Sequence, residues 1–336
     1  MDRCEICGAE GTFVRHDLRE MLFGSREPFR YLECPACGVL RIEAVPADLA
    51  RHYPPEYFEG PVEPPPAPAL HGLARRADRA RNERVLFGTS RLGARLTRHW
   101  APPVAHGIHR DTAFIRRAGL RSFDDPILDV GAGRLATQLI RLQNDGFRNL
   151  TGIDPYLDQD TERNGIPLQR RSIHEMSGSF QLVTMHHSFE HVPDPAATLA
   201  SAARLLRPGG TILIRTPVKD TWFWQTFGES WWELDPPRHL FVHTQASIAA
   251  LARVAGLEVV ATVWDSSFVE ILASQQIQRD IAWREPASWR TTGIPAAGSP
   301  EIAELRAKVA ELNAAGQAGR AGFYLRAIGA ARPADS

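Results

Sequence analysis

The run Ile127-Leu128-Asp129-Val130-Gly131-Ala132-Gly133 constrains this chain more than any other stretch. A short apolar segment of strand character ends in an acid and two spaced glycines. Asp154, 21 residues beyond Gly133, ends a second such segment as Gly152-Ile153-Asp154. Glycines at such a turn let the backbone approach a ligand where any Cβ would collide with it. An acid at the end of the next strand can accept hydrogen bonds from both hydroxyls of a ribose. A doubly wound α/β sheet builds a nucleoside pocket in this way, and the rest of the chain supplies the elements for one.

Strands are expected over 126–130, 149–153 and 180–185, with a helix over 134–145 that carries Leu135, Leu139 and Leu142 on one face. A helix over 195–206 follows, and Pro208-Gly209-Gly210 turns the chain into a strand over 211–215. A helix over 245–255 leads through Gly256 to a strand over 257–263. Residues 301–315 read as a late amphipathic helix, and 322–326 as a final strand antiparallel to 257–263. Strands alternating with helices imply a mostly parallel sheet. Residues 266–300 carry no clear pattern.

All four cysteines fall in the first 37 residues, as Cys4-x-x-Cys7 and Cys34-x-x-Cys37. Two such turns, each followed by a glycine, can close a tetrahedral thiolate site, so a structural zinc ribbon is expected. Four thiolates leave no open position for catalysis. Residues 61–69 (Pro-Val-Glu-Pro-Pro-Pro-Ala-Pro-Ala) form a stiff linker. Residues 71–100 read as helix and hold eight arginines, from Arg75 to Arg98. Those arginines are either a solvated face or an electrostatic handle for a phosphorylated or membrane-surface substrate. The chain thus divides into a ribbon with an aromatic extension (1–60), a linker and Arg-rich segment (61–119), and an α/β domain (120–330) with an insertion at about 266–318.

The formal net charge is zero and only Lys219 and Lys308 are lysines, which argues against a dedicated nucleic-acid binder. Neither a signal sequence nor a membrane-length apolar run is present, so the cytoplasm is the expected location.

Four motifs stand in order: Asp129-Val130-Gly131-Ala132-Gly133, Gly152-Ile153-Asp154, Glu190-His191-Val192-Pro193-Asp194-Pro195 and Leu205-Leu206-Arg207-Pro208-Gly209-Gly210. Together they resemble class I S-adenosylmethionine (SAM)-dependent methyltransferases, in the branch of ubiquinone-type O-methyltransferases and many natural-product and sugar methyltransferases. The four-cysteine front end is similar to that of deoxysugar C-methyltransferases. The resemblance implies a Rossmann-like, seven-stranded methyltransferase sheet behind a small N-terminal zinc ribbon. It implies SAM as cofactor and a small-molecule acceptor, such as a sugar nucleotide or biosynthetic intermediate. Two other readings stay open. Gly131-Ala132-Gly133-Arg134-Leu135-Ala136 also satisfies the NAD(P)-binding fingerprint of Rossmann oxidoreductases. Some ribosomal RNA methyltransferases also carry a zinc module ahead of this fold.

The resemblance further implies roles for individual residues. Gly131 and Gly133 line the carboxypropyl and ribose edge of the cofactor, Asp129 organises its methionine amino end, and Asp154 holds the ribose hydroxyls. Ser172 and Ile173 flank adenine, while Met185 and His186 face the cofactor from the end of the fourth strand. Two clusters offer bases, since histidine titrates near neutral pH. Glu190 and His191 belong to the first, where ubiquinone-type relatives hold a divalent metal at positions matched by His187, Glu190 and His191. His239 belongs to the second, matching the His of a catalytic Glu-His pair of sugar C-methyltransferases, with Arg238 in place of the Glu and available to grip a phosphate or carboxylate. Trp222, Trp224, Trp231 and Trp232 offer flat surface to a ring substrate or pack a lid. The ribbon, with Tyr53 and Tyr57, is expected to cover the substrate side.

Overall fold

A computed structural model describes residues 2–57, 72–89, 91–92, 95, 117–294 and 299–329. The linker over 61–69 and the Arg75 and Arg98 side chains lie outside the described residues.

The N-terminal part is made of short antiparallel strands. β1 (Asp2–Arg3) pairs with β2 (Glu10–Gly11), and β3 (Val14–Arg19), β4 (Pro28–Glu33) and β5 (Leu40–Ile42) form a meander. Helix α1 (Gly72–Phe87) follows. It is not a wholly solvated face. Leu86, Arg81 and Asn82 are buried, and Asn82 Nδ2 donates to the Asp145 carbonyl at 3.3 Å.

The α/β part is one eight-stranded sheet. Its strands are β6 (Ile127–Val130), β7 (Leu150–Ile153), β8 (Thr161–Arg163), β9 (Ile166–Gln169), β10 (Phe180–His186) and β11 (Leu206–Pro217), then β13 (Leu257–Trp264) and β14 (Arg320–Ala327). The order is β13-β14-β11-β10-β6-β7-β9-β8. Six of these are the expected strands, and β9, which no expected range covers, brings them to the seven that the resemblance implies. The eighth, β8, is an edge hairpin against β9. From β6 the chain runs outward through β7 and β9, then returns to β10 on the other flank. The switch point therefore falls between β6 and β10, where ligands bind in such sheets. β14 is antiparallel to both neighbours, as expected for 322–326.

Local chemistry moves three boundaries. Helix α2 (Thr137–Asp145) starts later than 134, because Gly131, Gly133 and Ala136 all adopt positive φ. Strand β11 starts at Leu206, with Pro208-Gly209-Gly210 absorbed as a bulge between the pairs Phe180–Leu206 and Leu182–Thr211. Helix α3 (Pro195–Arg204) is capped by Asp194, whose Oδ1 accepts from Ala197 N at 2.9 Å.

The two parts share one apolar core. β12 (Phe241–Val242), which follows β11 and helix α4 (Trp222–Phe227), pairs with β5 of the N-terminal meander. Thr244 caps helix α5 (Gln245–Val254) and donates its hydroxyl hydrogen to the Cys37 carbonyl. Tyr31, Val39 and Leu40 pack in the same cluster as Phe189, Trp231 and Leu240. Residues 266–300 contribute helix α6 (Phe268–Gln278), a turn, and the short helix α7 (Trp289–Thr292). Helix α8 (Pro300–Ala315) then leads to β14. Among the described residues no helix is long and apolar enough to cross a membrane.

Candidate functional site

The glycine loop is built largely by backbone. Gly131 N and Ala132 N both donate to the Ile153 carbonyl, at 2.8 and 3.1 Å, which ties the end of β6 to the end of β7. Gly131 has φ +76°, and a Cβ there would stand 2.5 Å from Ser188 Cβ. At Gly133 (φ +64°) the space is open. Gly133 N donates to Asp154 Oδ2 at 3.0 Å, and Tyr156 N to Asp154 Oδ1 at 2.8 Å. Asp154 is thus aimed at the loop and remains half-buried.

Asp129 is buried beside this loop, with Oδ1 accepting from Thr184 Oγ1 at 2.7 Å. Burial pushes its carboxyl up to about 7. Ser172 caps a single turn over 173–175, its hydroxyl donating to Glu175 at 2.9 Å, and Ile173 is buried beside it. Met185 lies wholly in the core, and His186 ends β10. These eight residues come from the ends of four strands, β10, β6, β7 and β9, that are consecutive in the sheet.

The second cluster lies beyond β10. Glu190 is fully buried, with Oε2 accepting from Thr216 Oγ1 at 3.0 Å, and burial raises its carboxyl to about 7. His239 Nδ1 lies 2.8 Å from the Glu233 carbonyl and donates to it, which leaves the Nε2 lone pair 4.0 Å from Glu190 Oε1. His191 Nδ1 likewise donates to the Arg238 carbonyl at 2.8 Å. Burial lowers both imidazoles, His239 to about 3, so both are neutral at pH 7. One ligand atom from each of Glu190, His191 and His239 lies within 4.8 Å of the others. Such a trio suits the hydrogen of a nucleophile, or a cation.

His187 does not join that trio. Its Nε2 accepts from Arg215 Nη1 at 2.6 Å and its Nδ1 faces Glu190 at 3.2 Å, so both nitrogens are spent. The cation set offered by the structure therefore replaces His187 with His239. Arg238 is also corrected. It is wholly buried, with Nε 2.9 Å from Asp235 and Nη2 2.8 Å from Glu20, so the carboxylates it grips are the protein's own. Glu20 also accepts from the backbone N–H groups of Leu22, Phe23, Gly24 and Ser25, at 2.9–3.1 Å.

A cavity of about 370 Å³ opens over the trio. His191 and His239 line it, with Glu233 and Asp235 beside them and Leu22 and Tyr57 from the N-terminal part. Of the four tryptophans only Trp232 reaches it, tilted against Trp283 at 4.7 Å. Trp231 is buried, and Trp224 carries Lys219 over its ring. Tyr53 stands 3.2 Å from His191 Nδ1 through its hydroxyl, and Tyr31 donates to the His239 carbonyl at 2.7 Å. Sequence reasoning missed Glu20, Tyr31, Glu233, Arg284 and Arg290. The available signal was the pair Trp283-Arg284 and Trp289-Arg290 in a stretch without other pattern.

The four cysteines converge. Cys4 and Cys37 Sγ are 3.8 Å apart, and Cys7 and Cys34 Sγ 3.7 Å. Four sulfurs about 2.3 Å from a tetrahedral centre stand ~3.8 Å apart, so the spacing fits one zinc ion and excludes disulfides. The two turns repeat each other: Gly8 N donates to Cys4 O at 2.8 Å and Gly38 N to Cys34 O at 2.9 Å, both glycines at positive φ.

Comparison with known proteins adds a family. The methyltransferase-domain profile matches residues 94–262, half of the chain. A ubiquinone biosynthesis O-methyltransferase of Pseudomonas aeruginosa is 33% identical over 112 residues, 30% of this chain and 47% of that protein. Its counterpart from Aromatoleum aromaticum is 50% identical over 40 residues, 12% of this chain and 17% of that protein. The matches thus span less than half the length of either relative. The cyclopropane synthase MmaA2 from Mycobacterium tuberculosis aligns over 62% of this chain and 80% of its own, at 16% identity and TM-score 0.38.

Proposed function

The chain belongs to the methyltransferase-domain family, of class I SAM-dependent fold, and from that premise we propose that it transfers a methyl group from SAM to a small-molecule acceptor. The observation that carries this reading is the glycine loop with Asp154 at the switch point of the sheet, beside a cavity lined by neutral histidines. SAM, when bound, supplies a methyl carbon already activated by its sulfonium.

The residues fit that cofactor. Gly133 leaves open space beside the backbone for its ribose edge, Gly131 lets the loop turn against Ser188 at the carboxypropyl side, and Asp154, already oriented by two N–H groups, takes the ribose hydroxyls. Asp129 meets the amino end of the methionine moiety, with Met185 and His186 on the same flank. Ser172 and Ile173 border the adenine. On the acceptor side, a hydroxyl or acidic C–H hydrogen is directed at His239 Nε2, with His191 and Glu190 as its neighbours. Glu190, poised near neutrality, is the group best tuned to receive that proton. Holding the nucleophile in line with the methyl carbon is most of what such a transfer asks of a protein.

The Cys4, Cys7, Cys34 and Cys37 thiolates hold one structural zinc, in an N-terminal module (1–60) that covers the acceptor side of the α/β domain (120–330). A small acceptor suits the cavity better than RNA does, since about 370 Å³ is the size of a small-ligand site and the net charge is zero.

Calorimetric titration with S-adenosylhomocysteine (SAH), beside NADH as control, tests the cofactor. SAH alone is expected to bind, and Asp154→Ala is expected to weaken it by about 1–3 kcal/mol. Binding of NADH alone would return the glycine loop to the oxidoreductases.

A further inference from the structure

The stretch between α6 and α8, which the sequence leaves without a role, brings two arginines to the acceptor cavity. Arg284 and Arg290 both line it. Arg284 is held in place: its backbone N donates to Leu22 O at 3.1 Å, its Nη2 to the Glu56 carbonyl at 2.6 Å, and its guanidinium covers the Phe23 ring at 4.7 Å. Arg290 is exposed and makes no hydrogen bond or ion pair among the described residues.

The other charged groups of the wall do not cancel these two. Asp235 is bound by Arg238. That arginine is shared with Glu20, and Glu233, its carboxyl raised by burial, is paired with Arg320 at 3.4 Å. His187, His191 and His239 are neutral there, each lowered by burial. The wall is therefore net positive. A cleft with low-dielectric walls concentrates such a field and raises the local concentration of anions.

We infer that the acceptor carries an anionic group, a phosphate or a carboxylate, gripped by Arg290 with Arg284, while its nucleophilic atom points to His239. This deepens the methyl-transfer reading and rests on it. A planar guanidinium engages either anion with two parallel hydrogen bonds. Gripping one end and presenting the other fixes which atom of a multifunctional acceptor meets the methyl donor.

The test uses the full chain saturated with SAH and titrates it calorimetrically with inorganic pyrophosphate and, separately, malonate. At least one anion is expected to bind with a Kd below ~1 mM. Arg290→Ala should weaken that binding about tenfold, and Arg290→Lys should restore part of it. SAH affinity should be the same in all three proteins. Binding of pyrophosphate alone assigns a phosphorylated acceptor, and binding of malonate alone a carboxylated one; either supports the inference. It is overturned if neither anion binds while SAH does, or if Arg290→Ala binds the anion as tightly as the wild type. Mutual exclusion of SAH and anion would also overturn it, since the arginines would then serve the cofactor's carboxylate. Failure of SAH itself to bind, with the anion still bound, overturns the methyl-transfer reading instead and with it the acceptor assignment.

Discussion

The two halves of the site are assembled by different rules. On the cofactor side, Gly131, Gly133 and Asp154 meet through backbone hydrogen bonds between adjacent strand ends. On the acceptor side, the cavity draws side chains from residues 20–57, 187–191, 232–239 and 284–290. Those side chains are pinned by buried charge and by carbonyls: Glu20, Asp235 and Arg238 form a knot in which the Arg238 carbonyl orients His191, while the Glu233 carbonyl orients His239. A half made of backbone depends on a few permissive residues close together. A half made of side chains depends on the whole tertiary arrangement, the N-terminal module included.

The sharpest way to break this contrast is to dismantle the module. Cys34→Ser removes one of four thiolates, and the sheet it anchors shares its core with Phe189, Trp231 and Leu240. Loss of a structural metal is among the largest single-site effects, so destabilisation on the order of 5 kcal/mol is expected, with zinc content falling in elemental analysis. Anion binding at the cavity should vanish first, at temperatures where SAH still binds. Parallel loss of both ligands would mean the halves are not separable.

The converse perturbation is Gly131→Ala. An added Cβ meets Ser188 Cβ at 2.5 Å, in a backbone conformation that itself costs about 1–2 kcal/mol for a residue with a side chain. SAH affinity should fall by roughly 2–3 kcal/mol, with anion binding unaltered. Gly133→Ala meets no protein atom, so stability should fall by only the conformational part, about 1 kcal/mol, while its Cβ enters the space assigned to the ribose edge. Equal losses from the two would argue that Ser188 does not set the loop's shape.

The same contrast explains what was legible in the sequence. Six of the eight strands could be read because apolar runs and turn glycines act within a few residues, whereas the short edge pair β9 and β8 carries no such run. The glycine loop and Asp154 were legible for the same reason. The start of α2 was not, since nothing at Ala136 announces its left-handed backbone (φ 47°). Nor was the fate of Arg238. Its partner Glu20 lies 218 residues away, and a buried arginine with two carboxylates looks no different in sequence from one that binds substrate. Arg284 and Arg290 were hidden for a related reason: charge in an unpatterned loop acquires meaning only when the loop is placed against a cavity.

Acidity sharpens the comparison further, because both halves hold a carboxyl raised by burial and only one of them meets the cofactor. Asp129 stays protonated up to about 7, against an ordinary value of 3.8. Between those values the folded chain binds more protons than the unfolded one. The contribution of Asp129 to stability is therefore full below pH ~4 and declines as pH rises to about 7. If the ionised carboxyl holds the ammonium of SAH, binding releases that proton. SAH affinity should then rise by up to about tenfold per pH unit below 7 and level off above it. Asp129→Asn should flatten this profile in calorimetry at pH 5.5–8.5. A profile that stays steep in the variant would move the titrating group elsewhere, with Glu190 the first alternative.

The most selective effect is expected behind the acceptor-side histidine. The Tyr31 hydroxyl, contributed by β4, donates to the His239 carbonyl at 2.7 Å inside the core. Tyr31→Phe keeps the ring and its packing but leaves that buried carbonyl oxygen without this donor, which costs about 1–2 kcal/mol of stability. The consequence for the site is directional. His239 is held by its side chain to the Glu233 carbonyl and by its main chain to Tyr31, so loss of the second hold lets the imidazole shift relative to Glu190. The acceptor KM should rise several-fold and the pH profile of kcat should move, while SAH affinity stays constant. A variant that loses SAH affinity and acceptor affinity together would show that Tyr31 supports the fold as a whole. A variant that changes only the acceptor parameters would show that the N-terminal module positions the acceptor-side histidine from behind.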